Sequence, residues 1–260
     1  MSILVRGVGL NGEKKDIYLE GNRIKRIANR IEEPADPMIS GADKIAIPSF
    51  VNGHTHAAMT LLRGYADDMP LKEWLETKIW PIELRLTEED VYWGVKLACL
   101  EMIKTGTTFF NDMYWQAARA GQEMGIRAAL SEVFIDIFRE DRMKEQIALN
   151  EGLFLESPEF SPRVIFTLGP HAIYTVSEKA LWWCADFARE RDVLIHFHLS
   201  ETEQEVRNCQ KEHGLCPVEY LEDLGFLGPH LIACDSVWLH EREIDRMAGL
   251  WGQGGAQPGL

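Results

Sequence analysis

The sequence predicts an α/β fold that contains a barrel of parallel βα units. From residue 45 onward, apolar strand-like segments alternate with helix-like segments, as in parallel βα proteins. Histidine or aspartate side chains stand at or just after the carboxyl ends of several of these strands: His54, His56, Asp112, His171 and His198. Only a barrel gathers so many strand ends around one opening, and that opening is where such barrels carry their chemistry.

Residues 1–47 precede this alternation and predict a small β module. Their short β-like runs are separated by two hairpin signals, Asn11-Gly12 and Gly21-Asn22. We assign the barrel itself to residues 48–250, with about six of the eight βα units of a complete barrel. Residues 251–260 form an atypical tail without periodicity.

The elements of the barrel segment follow one another in a regular order. Thr87 is expected to cap the first helix with Asp90 three residues on, and Gly106 to end it. The predicted strands are KIAIPSFVNGHTH, TTFFNDMY, IRAALSEVFI, RVIFTLGPHAIYTV, VLIHFHLS and HLIACDSVWL. The predicted helices are TEEDVYWGVKLACLEMIKTG, WQAARAGQEMG, RMKEQIALNEGLFLE, SEKALWWCADFARERD and ETEQEVRNCQKEHG.

Composition limits the classes of function. The 260 residues are 46% hydrophobic, which is enough for a substantial core. A net charge of −14 disfavours nonspecific binding to nucleic acid. No apolar run reaches the roughly 18 residues of a membrane span, and the first residues lack the apolar core of a signal peptide. Five scattered cysteines suit thiols in a reducing compartment. We therefore expect a cytoplasmic protein, and a homo-oligomer stays open.

Two H-x-H motifs suggest a metal site. Residues i and i+2 of a strand share a face, so His54 and His56 can point at one ion. His196 and His198 repeat the pattern at the end of VLIHFH, and Glu201 follows three residues later. A further imidazole beside a free carboxylate suits a metal-activated water and its proton carrier. Histidines held by local hydrogen bonds are the alternative for an isolated H-x-H pair.

Longer stretches around these motifs resemble the amidohydrolase superfamily, and more closely its deaminases of 5′-methylthioadenosine and S-adenosylhomocysteine. The stretches are PSFVNGHTHAAMTLLRGYADDMPLKEWLETKIWPIE, TTFFNDMY, GPHAIYTVS and HFHLSETEQEV. The resemblance covers residues from about 1 to about 250. It implies an incomplete (β/α)8 barrel of the TIM type, with residues 1–47 as the N-terminal part of a small β-sandwich.

The resemblance also implies a set of site residues. The metal ligands would be His54, His56 and His198, with one divalent ion, zinc above others, and Glu201 would transfer protons. The substrate-binding residues would be Glu83 on the ribose hydroxyls, His171 and Arg142, with Arg139 the second candidate for the arginine position. Relatives with two metal ions use a carboxylated lysine in the fourth strand. RVIFTLGPHAIYTV has no lysine, which favours one ion.

Two features depart from the family pattern. Asp235, in ACDSVWL, stands where the family has a histidine that orients the nucleophilic water, and catalysis is expected to suffer. The tail after Trp251 lacks the Val-Ala-His-Asn-Pro type of motif that the family would show next, and we hypothesise that it is a frameshift product. The barrel would then lack its last strands and the fourth ligand, an aspartate. The genomic sequence around codon 251 tests this hypothesis.

The expected activity is hydrolytic deamination of 5′-modified adenosines: 5′-methylthioadenosine, S-adenosylhomocysteine and 5′-deoxyadenosine. Glu83 favours a nucleoside over a free base or a chlorotriazine as the substrate. Three alternatives stay open. The chain can be a non-catalytic fragment of such an enzyme, which Asp235 favours. It can be another amidohydrolase, such as a guanine or cytosine deaminase or a chlorotriazine hydrolase. A cyclic amide hydrolase, the third, needs the absent lysine.

Overall fold

The structure is a computed structural model that describes residues 1–252. These residues form two compact units, Met1–Ser49 and a second unit that begins at Phe50. The division lies two residues beyond the boundary at residue 47 that the sequence suggests. Most of the predicted atypical tail lies outside the described residues, and its first two residues end a helix, Glu241–Gly252.

The first unit is a four-stranded sheet with the order β3-β2-β1-β4. Its strands are β1 Ser2–Leu10, β2 Glu13–Glu20, β3 Arg23–Ala28 and β4 Met38–Ser40. β1 and β2 form an antiparallel hairpin, and β4 runs parallel to β1. The hairpin predicted at Asn11-Gly12 is confirmed: both residues have positive φ, 51° and 84°, as a tight two-residue turn requires.

The second unit contains a parallel sheet with the order β11-β10-β9-β7-β6-β5, and a short strand, β8, pairs with β9. Its strands are β5 Phe50–Thr55, β6 Thr107–Asp112, β7 Arg127–Leu130, β8 Val133–Phe134, β9 Val164–Pro170, β10 Leu194–Leu199 and β11 Leu231–Asp235. In the described part of the chain, β5 and β11 are the two edges of this sheet.

The sheet curls strongly. β5 and β10 are four positions apart in the strand order, so they would be about 19 Å apart in a flat sheet. Yet the Nδ1 atom of His54 in β5 lies 2.8 Å from the Nε2 atom of His196 in β10. Only a sheet rolled toward a barrel allows this contact. The predicted fold, an incomplete barrel of parallel βα units with a separate small N-terminal sheet, is confirmed.

Helices follow most of these strands in the chain. They are α1 Leu71–Trp74, a π-helical turn Leu75–Ile79, α2 Trp80–Glu83, α3 Glu88–Lys104, α4 Ala117–Met124, α5 Glu140–Glu156, α6 Glu178–Arg191, α7 Glu203–His213, α8 Pro217–Asp223 and α9 Glu241–Gly252. The cap predicted for α3 is confirmed, because the Asp90 amide donates to Thr87 Oγ1 over 3.2 Å.

Several predicted elements differ from the structure. The strand predicted over IRAALSEVFI is two strands, β7 and β8, because the pairing of β7 with β9 ends at Leu130 and pairing with β9 resumes only at Val133. The strand predicted through residue 176 ends at Pro170, where the chain turns from the sheet. The segments that form α1, α2 and α8 were not predicted as helices, since they are only 4, 4 and 7 residues long. The sequence analysis also missed α9, although its 12 residues have an amphipathic pattern.

The barrel core determines where the carboxyl ends of the strands lie. Phe110, Leu168 and Phe197, each fully buried, fill the space between neighbouring strands and helices. A 3-10 helix, Ala57–Leu62, follows β5 and packs closely on α3. A Cβ atom at Gly94 of α3 would lie 2.5 Å from the Ala58 carbonyl oxygen, so only glycine permits this approach. The backbone after β5 is therefore held in place.

Candidate metal centre and active site

Three imidazoles meet at the carboxyl end of the parallel sheet. His54 lies in β5, His56 directly follows β5, and His198 lies in β10. One ring nitrogen from each lies within 4.8 Å of the other two. We call these three residues the imidazole cluster. The structure therefore brings together the three residues that the family resemblance suggested as metal ligands.

The spacing within the imidazole cluster suits a tetrahedral ion. The Nε2 atoms of His56 and His198 are 3.4 Å apart. Two nitrogens bound at 2.0–2.1 Å to one tetrahedral zinc ion lie about 3.3–3.4 Å apart. The Nδ1 atom of His198 is 3.0 Å from the carbonyl oxygen of His171, to which it can donate a proton. That hydrogen bond leaves Nε2 as the nitrogen that carries the free lone pair.

Burial keeps these imidazoles in the form that binds cations. It lowers the pKa of His56 to about 3, with further lowering from neighbouring imidazoles. It also lowers the pKa of His54 and of His198, although the charge of Asp235 opposes the change at both. The rings are thus neutral at pH 7, and a neutral imidazole is the metal-binding form. The donor set could hold one divalent metal ion.

Asp112 anchors the chain next to His56. This fully buried carboxylate ends β6 and accepts hydrogen bonds from the amides of Ala57, over 2.6 Å, and Tyr114, over 2.9 Å. Burial raises its pKa to about 7, although these hydrogen bonds oppose the change. Sequence reasoning placed Asp112 at a strand end but gave it no role. The signal was a carboxylate at the end of an apolar strand.

Glu201 follows the cluster in the chain. It lies just after β10, and burial, together with the charges of Asp235 and Glu205, raises its pKa to about 7. The buried carboxylate of Glu205 accepts hydrogen bonds from the amides of Ser200, over 3.0 Å, and Glu201, over 2.9 Å. These bonds fix a turn in which Ser200 has a φ of +50°. Sequence reasoning missed Glu205.

Tyr114 lies between Glu83 and the imidazole cluster. The Tyr114 hydroxyl donates a short hydrogen bond to the Glu83 carboxylate, and the ring of Tyr114 lies 6.2 Å from the His56 ring, centroid to centroid. Burial and the Glu83 charge raise the pKa of Tyr114, so its hydroxyl stays protonated. Both residues line a cavity of about 210 Å³, together with Gln116 and Glu132.

The other two predicted substrate residues differ in their placement. The ring of His171 lies 4.8 Å from the ring of His198, centroid to centroid, and its Nδ1 atom is 2.9 Å from Thr175 Oγ1. Arg142 is exposed on α5, and no contact found among residues 1–252 links it to the imidazole cluster. The alternative, Arg139, is paired with Asp141 at 2.5 Å on the surface.

Asp235 lies at the end of β11, opposite Leu199 of β10 in the strand register. Its φ is +63° and its side chain is exposed. Its negative charge raises the pKa of His54 and of His198, where burial lowers it. The same charge raises the pKa of Glu201, where burial raises it too. The unusual aspartate noted in the sequence therefore adds negative charge close to the imidazole cluster.

A further group of possible metal donors is explained by helix capping. Cys216, His240 and Glu243 approach within 4.8 Å of one another. However, the Glu243 carboxylate accepts from the amides of Val218, over 3.1 Å, and His240, over 3.0 Å. It thereby caps the starts of α8 and α9, where helix dipoles favour an anion over a cation. We assign this group to helix capping.

Within residues 1–252, no helix has the length and apolar character that crossing a bilayer requires.

Comparisons with known proteins identify the family of the chain. The sequence profile described as "Amidohydrolase family" matches residues 45–250. A 5-methylthioadenosine/S-adenosylhomocysteine deaminase 1 of Archaeoglobus fulgidus is 47% identical over 236 residues, which cover 90% of this chain and 55% of that protein. A 5′-deoxyadenosine deaminase of Methanoregula boonei is 44% identical over 251 residues, which cover 93% of this chain and 57% of that protein. The chain thus spans little more than half the length of these curated relatives.

Solved structures give the same result for the fold. An adenosine deaminase from Xanthomonas campestris with bound zinc superposes with a TM-score of 0.87 and 30% identity, over 96% of this chain and 60% of that one. A triazine hydrolase from Arthrobacter aurescens has a TM-score of 0.85 at 20% identity, over 96% and 64%, and shares the fold. Profile, relatives and structures lead to one conclusion: the chain belongs to the amidohydrolase family.

Proposed function

We propose that this chain carries the zinc centre of a hydrolytic deaminase that acts on 5′-modified adenosines. The observation that carries the proposal is the convergence of His54, His56 and His198 at one strand end, with Glu201 following β10 at that end. The names of the two curated relatives and of the zinc-containing adenosine deaminase support the substrate class and the metal.

The donors fit the proposed ion. His54, His56 and His198 would hold it through neutral imidazole nitrogens, and the 3.4 Å spacing of two of them suits tetrahedral zinc. When bound, the ion supplies Lewis acidity that makes water nucleophilic near neutral pH. The carbonyl of His171 keeps the ring of His198 oriented through its Nδ1 atom.

Glu201 would transfer the protons. In the reaction, the oxygen of water bonds to C6 of the adenine ring, and the bond from C6 to the amino nitrogen breaks. Glu201 accepts the two protons of the water one after the other: it passes the first to the ring nitrogen and the second to the leaving amine, and ammonia departs. A pKa of about 7 allows one carboxyl group to accept and donate at neutral pH.

Glu83 would recognise the ribose. A carboxylate can accept hydrogen bonds from both ribose hydroxyls, and the Tyr114 hydroxyl would hold the Glu83 side chain in one orientation. His171 would contact the substrate beside His198. Arg142 would contribute a positive charge to substrate binding, as the family resemblance implies.

Asp235 favours a second candidate function, a metal-binding chain without catalysis. Its negative charge raises the pKa of Glu201 and disfavours further negative charge on the attacking water. An aspartate also lacks the neutral N–H donor that a histidine would provide at this position. We expect low activity from this chain for the same reason.

A substrate panel tests the proposal. The purified chain is loaded with zinc, and ammonia release is measured with 5′-methylthioadenosine, S-adenosylhomocysteine, 5′-deoxyadenosine, guanine and cytosine. Turnover of the nucleosides alone is expected, and Glu201→Gln should abolish it. Equal turnover of free bases contradicts the substrate class. Stoichiometric zinc without any turnover supports the second candidate.

The proposed partner is a small nucleoside, and the proposed compartment is the cytoplasm. The net charge of −14 supports the first part, because it disfavours polyanions such as nucleic acid. The five cysteines are all buried and free, which suits a reducing compartment.

A further inference from the structure

A fourth histidine lies behind the imidazole cluster. His196 is in β10, two residues before His198, and its side chain is fully buried. Its Nε2 atom lies 2.8 Å from the Nδ1 atom of His54, with the two rings almost perpendicular at 79°. This is hydrogen-bond distance, so one of the two nitrogens carries the shared proton.

The chemistry of imidazole determines what this contact does. A neutral imidazole has one N–H donor and one lone pair. If His54 carries its proton on Nδ1 and donates it to His196, its Nε2 atom keeps the lone pair that an ion needs. If Nε2 of His54 carried the proton, that nitrogen could not bind a cation. The hydrogen bond to His196 thus selects between a binding and a non-binding form of His54.

Cys234 is the other candidate partner of His196 among the described residues, since its Sγ atom lies within 4.8 Å of a ring nitrogen of His196. Burial raises the pKa of this thiol to about 12, and it donates to the carbonyl of Ile232 instead. The Nδ1 atom of His196 forms no hydrogen bond of normal geometry, although the backbone carbonyl of Asp112 is its neighbour. A buried polar atom without a partner costs stability, and an apolar side chain would avoid that cost. The contact of Nε2 with His54 is the one hydrogen bond that its ring makes among residues 1–252.

His198 has a comparable support. The carbonyl of His171 engages the Nδ1 atom of His198 over 3.0 Å, which leaves its Nε2 atom free. Each of these two candidate ligands is therefore held through one nitrogen and presents the other. Outer partners of this kind orient metal-binding histidines and raise their basicity.

We propose that His196 is a positioning residue that fixes the tautomer and the orientation of His54 for metal binding. The inference rests on the proposed function, because it assumes that His54 binds the ion. It goes beyond that function by giving a role to the first histidine of the second H-x-H motif.

Zinc affinity tests the inference without any enzymatic assay. The affinity of the 260-residue chain for zinc is measured by competition with a chromophoric chelator. His196→Leu is expected to weaken binding about 10–100-fold. His196→Gln, whose amide oxygen can accept the proton of His54 Nδ1, should stay within about threefold of the wild type. His213→Leu is the control, because His213 is exposed and stacks on Tyr220 instead.

Two further readouts separate positioning from folding. The visible spectrum of the cobalt-loaded chain should change in His196→Leu and not in His213→Leu, and thermal unfolding shows whether each variant is folded. In the wild type, long-range ¹H–¹⁵N NMR is expected to find the proton of His54 on Nδ1.

The outcomes are distinct. A folded His196→Leu variant with wild-type zinc affinity and an unchanged cobalt spectrum contradicts the role of His196, and so does a proton on His54 Nε2. A wild-type chain that binds no zinc contradicts the proposed function as well. If His196→Leu does not fold, the Gln variant and the NMR tautomer decide the question.

Discussion

The imidazole cluster and the outer candidates Glu83 and Arg142 are built in different ways. The cluster residues lie in or beside the parallel strands β5 and β10. His54 is hydrogen-bonded to the buried His196, and His198 to the carbonyl of His171. Glu83 ends a short helix, and one tyrosine hydroxyl holds it. Arg142 lies exposed on a long helix.

The difference shows how positional accuracy arises in this fold. A strand in a sheet fixes the direction of each side chain through its register, and buried hydrogen bonds then fix the ring. A side chain on a surface helix keeps most of its rotamer freedom until a ligand orders it. We therefore expect changes in the cluster to affect metal binding and folding strongly, and changes at the outer candidates to affect substrate binding alone.

The largest expected effect comes from the cluster itself. His198→Ala removes one of three proposed ligands and should weaken zinc binding by about 10³-fold, since structural zinc sites derive about 10–16 kcal/mol from their full ligand set. Chelator competition measures the loss, and His213→Ala, at an exposed histidine outside both groups of possible metal donors, is the control. Equal affinity of His198→Ala and the wild type would exclude this cluster as the metal site.

The next effect concerns the support of Glu201. Glu205→Leu leaves the buried amides of Ser200 and Glu201 without their acceptor, and each such loss costs about 1–3 kcal/mol. The free energy of unfolding in urea should therefore fall by about 2–6 kcal/mol. Glu203→Gln on the same helix removes only a surface ion pair with Arg207 and should change it by less than about 1 kcal/mol. Similar values for the two variants would refute the role of Glu205.

Sequence reasoning succeeded where the strand period decides the outcome. The two-residue repeat of a strand predicts that His54, in β5, and His56, directly after β5, share a face, and the alternation of strands with helices predicts a barrel. The same repeat places His196 and His198 on one face, but it cannot tell which of them belongs to the cluster. That choice depends on the curl of the sheet, which brings His196 against His54.

Residues outside the strands could not be placed in this way. Glu83 follows a π-helical turn, Leu75–Ile79, whose extra residue shifts the helix face in a manner that an apolar period does not reveal. Glu205 looks like any acidic residue at a helix start until its buried contacts with two amides are known. Asp235 was noted because it departs from a family pattern, and its effect on neighbouring pKa values required the structure.

The pH dependence of stability tests the buried anchor beside His56. The pKa of Asp112 is raised from 3.8 to about 7, so between those values the folded state keeps a proton that the unfolded state has lost. The free energy of unfolding should therefore decrease as pH rises from about 4 to about 7, by roughly 2–4 kcal/mol in total. Urea unfolding with EDTA present measures it, because a bound ion would alter the charge balance.

Asp112→Asn provides the comparison for that measurement. The variant cannot ionise, so the part of the slope that belongs to Asp112 should disappear, whatever the effect of the substitution on stability at one pH. Asp90→Asn, at the exposed cap of α3, is the control, because the cap lowers the pKa of that carboxyl group instead. An identical slope between pH 4 and 7 in the wild type and Asp112→Asn would show that Asp112 does not titrate there.

A smaller effect, on KM, is expected for Tyr114, which lies between the imidazole cluster and Glu83. Tyr114→Phe removes the hydroxyl that orients Glu83 and leaves the aromatic ring. A hydrogen bond to a charged group contributes about 1.5–3 kcal/mol, so KM for nucleosides should rise about tenfold or more while zinc affinity stays unchanged. Glu83→Gln should raise KM in the same direction. A drop in zinc affinity in Tyr114→Phe would place the tyrosine with the cluster instead.

The smallest effect, and the sharpest test of the comparison, concerns the two arginines. Arg142→Ala should leave the free energy of unfolding within about 0.5 kcal/mol of the wild type and zinc affinity unchanged, because its side chain is exposed and lacks a described partner. If Arg142 binds substrate, KM rises severalfold in this variant alone. Arg139→Ala loses a surface ion pair with Asp141 and should leave KM unchanged. A rise in KM with Arg139→Ala and not with Arg142→Ala would assign substrate binding to Arg139. No rise in either variant would contradict a substrate-binding role for both arginines.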